Sequence, residues 1–303
     1  MKKFGVIAIT TLAILLTGCG TSQNLQIQTI SENDVSKISI DSTANFSVSR
    51  VVVLANGVAE IINALNAKSI LVGRDISSTE KDLKDIPIVT SGHQVLPEKV
   101  IELKPDLVII DASTGPRAAL DQIRTAGIKI VETPESWTLS DISKKVAAVA
   151  SAIGAPVQGD LLNQAFNDEL KTSTVATKSR IAFLYLRGTS SVYLIGGPGS
   201  GSDSLIEAIG ATDVGAQSLP NPYNTMTAES LATLNPDVII VMTKGLQSVG
   251  GISGLLKLPG VAQTQAGKNQ AVIDVDDSLL LSYGPRTPSL VTALARAVEA
   301  VTK

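Results

Sequence analysis

The chain has 303 residues, 44% of them hydrophobic and 17% charged, with a formal net charge of −3, one cysteine and one histidine. That length suits two lobes of about 100–150 residues or one large α/β domain, and the apolar content rules out a disordered chain. With no basic run beyond Lys2-Lys3 the chain lacks the footprint of a nucleic-acid binder, and a lone Cys19 and a lone His93 exclude disulfides, Cys-rich clusters and His-rich metal cages.

Residues 1–18 read as an export signal: a basic start, an apolar run from Phe4 to Leu16 too short for a permanent membrane span, then Leu16-Thr17-Gly18-Cys19. Leu-Thr-Gly-Cys resembles the lipobox of bacterial lipoproteins, which implies that Cys19 is acylated and becomes the new N-terminus. Acyl chains gain about 0.8 kcal/mol per buried CH₂, enough when several are present to hold a soluble body at a membrane. Cleavage would deepen the net charge to −5, because the 18 residues carry two Lys and no acid. Residues 19–49 are rich in Ser, Thr, Asn and Gln without clear periodicity and are expected to form a flexible tether.

From Arg50 onward short β-branched runs alternate with helical patterns. Strands are expected at 50–54, 70–73, 86–89, 107–110 and 128–131, with helical stretches at 58–65, 97–103 and 117–126, the last closed by Gly127. A long helical zone from Leu139 to about Thr174 is nicked at Gly154-Ala155-Pro156, and its second part spans about 20 Å at 1.5 Å per residue, the length of a strut between lobes. The pattern then restarts, with strands at 180–184 and 238–242 and helices at 203–209 and 290–301. Alternating strands and helices argue a helix-covered parallel sheet in each half. The expected division is a first lobe over 50–155, an interdomain helix over 156–178 and a second lobe over 179–303.

The two halves match residue by residue. Pro97-Glu98 precedes Pro105-Asp106 and the strand Leu107–Ile110 by the interval at which Ala228-Glu229 precedes Pro236-Asp237 and Val238–Val241. A Glu in the first helical turn favours the positive end of the helix dipole, so simple capping accounts for Glu98 and Glu229 as readily as function does.

These runs, with Ala59-Glu60-Ile-Ile-Asn-Ala-Leu65 and the Ala-Gly-Ile turn at Gly127, resemble the class III periplasmic binding proteins, the ABC-importer receptors for cobalamin, ferric siderophores and haem. The resemblance extends from about residue 50 to the C-terminus. It implies an α/β fold of two Rossmann-like lobes with parallel sheets, joined by a single long helix, with ligand in the cleft between them. Phe183-Leu-Tyr185-Leu-Arg187-Gly-Thr, Leu255-Leu-Lys-Leu-Pro-Gly-Val261 and Leu279-Leu-Leu-Ser-Tyr-Gly-Pro-Arg286-Thr-Pro288 look closer still to the haemin-binding lipoproteins. By position, Glu98 and Glu229 match the two family carboxylates that dock into arginine pockets of the permease.

Ferric haem is a flat apolar disc with two carboxylates and an iron that accepts axial His or Tyr. His93 lies in Ser91-Gly92-His93-Gln94, a strand-to-helix loop of the kind that lines the crevice of open α/β sheets. A loop His alone is as well explained by a surface role; the resemblance makes it the first-lobe axial ligand. Tyr185 and Arg187 share one strand face, so a guanidinium can sit beside the phenol and favour the phenolate. Tyr-x-Arg alone is a weak signal, equally a packed aromatic with a solvent-facing Arg, and the resemblance makes Tyr185 the second-lobe ligand. Tyr223, in a loop equivalent to that of His93, is the alternate ligand or a wall, and Arg286 is a candidate for the cleft edge. The stretch Gly196–Gly201 holds Pro198 and lacks an acidic partner, so it is no dinucleotide fingerprint.

Enzyme chemistry is not expected: the chain has no Gly-x-Ser-x-Gly elbow and one His, and Asp276-Asp277 read as a solvated turn. The expectation is a monomeric, lipid-anchored receptor on the extracytoplasmic face that takes haem as transported ligand and delivers it to a permease and ATPase complex. A siderophore or cobalamin receptor of the same fold is the alternative.

Overall fold

A computed structural model describes residues 27–41, 44–172 and 177–303. The signal segment and Cys19 therefore lie outside the described residues. Among those described, no helix is long and apolar enough to cross a membrane.

The first strand departs from the expected tether. Strand β1 (Ile27–Ile30) pairs in parallel with a strand near the C-terminus, Ile27 against Val272 and Ile30 against Val275. Ile30 and Ile38 are buried, and the backbone amides of Ile38, Ile40 and Ser47 donate to the carbonyls of Pro285, Ala64 and Ile153. Residues 27–41 and 44–49 thus run as a strap along both lobes, and the assignment of 19–49 to a flexible tether is corrected over these stretches. The polar composition hides the few isoleucines that do the anchoring.

The first lobe carries β2 (Val51–Val53), β3 (Leu71–Arg74), a small hairpin of β4 (Thr90–Ser91) and β5 (Gln94–Val95), β6 (Leu107–Ile110) and β7 (Lys129–Glu132). Its parallel sheet has the order β3-β2-β6-β7. The central Val and Ile runs are buried on both faces, as helix-covered parallel strands must be. Helices α1 (Val58–Ala64), α2 (Pro97–Glu102), α3 (Arg117–Thr125) and α4 (Ile142–Ala152) surround it. The expected strand at 86–89 is absent apart from a single bridge, Arg74 to Ile88; Pro87 has no N–H to offer a ladder.

Helix α5 (Pro156–Thr172) crosses to the second lobe, where β8 (Arg180–Arg187), β9 (Val192–Gly196), β10 (Thr212–Asp213), β11 (Tyr223–Thr225), β12 (Val238–Met242) and β13 (Val272–Val275) follow. With β1 they form a seven-stranded sheet ordered β1-β13-β12-β8-β9-β11, β10 pairing with the start of β8. Its β1, β13, β12 and β8 run parallel, whereas β9 and β11 are antiparallel additions. Helices α6 (Ser202–Ala208), α7 (Val214–Ser218) and α8 (Ala228–Leu234) and the terminal helix Thr287–Thr302 cover it.

The internal repeat has a structural counterpart. Asp106 accepts from the backbone N of Arg50 at 3.0 Å, and Asp237 from that of Arg180 at 3.1 Å, so each Pro-Asp turn clamps the start of its lobe's central strand. Both arginines reach back to a helix-terminal carbonyl, Arg50 Nη2 to Leu103 at 2.6 Å and Arg180 Nη2 to Leu234 at 2.8 Å. One hydrophobic cluster, running from Val51, Ile61 and Val146 through Phe166 to Phe183, Ile273 and Leu294, joins the lobes.

Candidate functional site

A cavity of about 500 Å³ opens between the lobes at the carboxyl ends of the first-lobe strands, where open α/β sheets bind ligand. His93 and Tyr185 both line it, from opposite lobes. His93 is exposed on the two-residue turn between β4 and β5, and Gly92 takes the left-handed φ of 57° that such a turn demands at its first position. The imidazole therefore projects from a tight hairpin, not from a loose loop.

Tyr185 stands on β8. Its ring meets that of Tyr223 edge to face, centroids 5.7 Å apart at 70°, and the Arg187 guanidinium carbon lies 4.4 Å from its centroid. Residues i and i+2 share the face as expected. The guanidinium sits over the ring, however, and Arg187 is not among the residues lining the cavity. Arg187 Nη1 donates to its neighbour Leu186 O at 2.9 Å, and Nη2 approaches Asp277 at 4.0 Å. A cation–π contact of this kind stiffens the tyrosine from behind and is worth about 0.5–2 kcal/mol.

Tyr223 also lines the cavity. Its hydroxyl donates to Ser200 O at 3.2 Å. Burial pushes its phenol above the ordinary range, with the neighbouring Tyr185 and Asp203 adding to the shift.

Arg286 is not brought to the cleft, and its expected place there is corrected. It is 3% exposed at the start of the terminal helix; Nη2 donates to Glu60 Oε2 at 2.9 Å and to Glu80 Oε1 at 2.8 Å, and its backbone N to Glu60 Oε1 at 2.8 Å. The Gly-Pro-Arg-Thr-Pro turn points the side chain down between the lobes, where two first-lobe carboxylates hold it. Glu80 is pushed up to about 7 by burial and then by the neighbouring Glu60, against the pull of Arg286. Glu98 and Glu229 are exposed in the first turns of α2 and α8, as their repeat positions predict.

Sequence reasoning missed the rest of the wall. Asp75 and Asp111 follow β3 and β6 and line the cavity, and both begin an Asp-x-Ser-Ser/Thr turn whose hydroxyls fold back onto the carboxylate. That repeated tetrapeptide at two strand ends was a readable signal. Trp137, the chain's one tryptophan, lines the mouth at 41% exposure and donates from Nε1 to Glu135 Oε2 at 2.9 Å. It reaches across toward the second lobe: a Cβ placed on Gly201 would lie 3.3 Å from its ring.

Residues 51–279 match the model of the family described as periplasmic binding protein. An uncharacterized ABC transporter substrate-binding lipoprotein, YvrC, of Bacillus subtilis (strain 168) is 27% identical over 98% of this chain and 97% of its own length. A vitamin B12-binding protein of Vibrio parahaemolyticus is 25% identical over 68% of this chain and 75% of its own length. Among solved structures, the haem-binding protein HmuT superposes with a TM-score of 0.81 at 33% identity, over 89% of this chain and 97% of that one. With a matched family model over most of its length and this two-lobed architecture, the chain belongs to the periplasmic binding protein family.

Proposed function

We propose that the protein is an extracytoplasmic, lipid-anchored receptor that holds ferric haem in the inter-lobe cleft and hands it to an ABC permease and its ATPase. His93 and Tyr185 would be the axial ligands, Arg187 the support behind the tyrosine and Tyr223 a wall; Glu98 and Glu229 would meet the permease, and acylated Cys19 the membrane. The observation that carries the reading is that the chain's one imidazole and a cation-backed phenol line a single apolar cavity from opposite lobes. Imidazole and phenolate are ligand types that proteins give to haem iron, and the similarity to HmuT favours the same cargo.

Titration with hemin tests this. A shifted Soret band is expected, altered in both His93→Ala and Tyr185→Phe; no spectral change in the native protein would sink the proposal. The similarity to the vitamin B12-binding protein favours a second reading, a corrinoid receptor. Cyanocobalamin saturating the protein, with hemin spectrally silent, would establish it.

A further inference from the structure

The short helix Asp277–Ser282 belongs to the second lobe, and the first lobe grips its end. A helix leaves its last carbonyls without intrahelical partners. Here two first-lobe side chains supply them. Asn56, just after β2, donates from Nδ2 to Leu281 O at 2.9 Å, and Lys145, on α4, donates from Nζ to Ser282 O at 2.9 Å. The approach is close enough to require a glycine opposite, since a Cβ on Gly57 would lie 2.2 Å from Ser282 O. Lys145 is 3% exposed, and burial pulls its ammonium down to about 8 against the opposing influence of Glu60, Asp111, Glu135 and Asp75. The carbonyl and these carboxylates offset the cost of burying the charge.

The same helix connects to the side chains of the cavity. Asn56 and Leu281 line it. Asp277, the first residue of the helix, accepts from the backbone N of Lys244 at 3.0 Å and lies 4.0 Å from Arg187 Nη2, whose guanidinium covers the Tyr185 ring. Tyr283, immediately after the helix, is buried and donates from its hydroxyl to Gly201 O, so the carboxyl end is fixed within the second lobe as well. The helix is therefore part of the body that carries Tyr185, and Asn56 and Lys145 tie it to the body that carries His93. Two axial ligands offered by separate bodies must be held within about 0.5 Å of the productive geometry, because any slack falls on the weaker of the two iron bonds.

We infer that Lys145 and Asn56 are positioning residues for the iron: by gripping the carbonyl end of this helix they set the span between His93 and Tyr185. The inference rests on the axial-ligand reading proposed above. Lys145 does not itself line the cavity, so it acts through the spacing of the lobes and not through contact with the ligand. Of the two axial groups His93 is the one lost on loosening, because its hairpin turn is exposed whereas Tyr185 is braced by Tyr223 and Arg187.

Lys145→Met keeps the bulk of the side chain and removes its donor. Bound to hemin, this variant is expected to show the Soret band of His93→Ala in place of the native one, and to lose hemin to excess apomyoglobin at least about tenfold faster than the native protein. A folded Lys145→Met whose band lies anywhere else, or whose loss of hemin is accelerated less than about tenfold, would overturn the positioning role, whatever its melting temperature. Should that variant not fold, the same two readouts on Asn56→Ser decide in the same way. A native Soret band that does not respond to hemin, or that is unaltered in His93→Ala, would instead remove the ligand assignment on which the inference rests.

Discussion

At the scale of single residues, the site divides into groups that touch the cavity and groups that hold those in place. His93 has a rigid turn beneath it but few neighbours, so replacing it should alter ligand spectra without much effect on folding. Tyr185 is braced from two sides, by the edge-on ring of Tyr223 and the stacked guanidinium of Arg187. Trp137 offers a built-in reporter. As the chain's one tryptophan at the mouth of the cavity, its emission should be strongly quenched as hemin saturates the site, with a midpoint equal to that of the Soret titration. Unchanged emission alongside a shifted Soret band would mean that the ligand binds away from this cavity.

At the scale of elements, the duplicated unit explains how two lobes of different sheet order share one construction. In each, an arginine opens the central strand, donates to the last carbonyl of the helix that leads into the Pro-Asp turn, and is itself pinned by the aspartate of that turn. The second lobe then adds β9 and β11 on one side and β1 on the other. That last addition makes a measurable difference between a strap and a tether. Ile30 is 3% exposed, so Ile30→Ala should cost about 2–4 kcal/mol in urea unfolding. A change near zero would return the segment to the status of a passive linker.

At the scale of the whole molecule, the lobes are held together by a shared hydrophobic cluster, by helix α5, by the strap and by the Arg286–Glu60–Glu80 group. The ionic group leaves a pH signature. Glu80 titrates near 7 in the folded protein, well above an ordinary glutamate, so the folded state holds a proton that the unfolded chain has released. Its contribution is fully present below the unfolded pKa and is lost as pH rises toward about 7. Glu80→Gln should therefore gain stability relative to the native protein as pH rises from about 5 to about 7.5, in paired urea denaturation curves. A stability difference independent of pH over that window would show that Glu80 is already ionised throughout it.

The alternation of β-branched runs with helical patterns and the matched Glu and Pro-Asp intervals were enough to read a duplicated α/β fold, because both signals are local and burial of a parallel strand leaves an unbroken apolar run. Tyr185 with Arg187 on one face was legible for the same reason: strand geometry alone puts i and i+2 together. The sequence could not tell Arg286 in the cleft from Arg286 between two buried carboxylates, since Glu60 and Glu80 lie more than two hundred residues away. Nor could it separate a tether from a strap, where a handful of isoleucines decide the outcome only once a distant strand and carbonyls are in reach. Local periodicity and spacing determined the elements, and the resemblance to the haemin-binding lipoproteins made His93 and Tyr185 the candidates; long-range packing decided which charges line the cavity and which hold the lobes together.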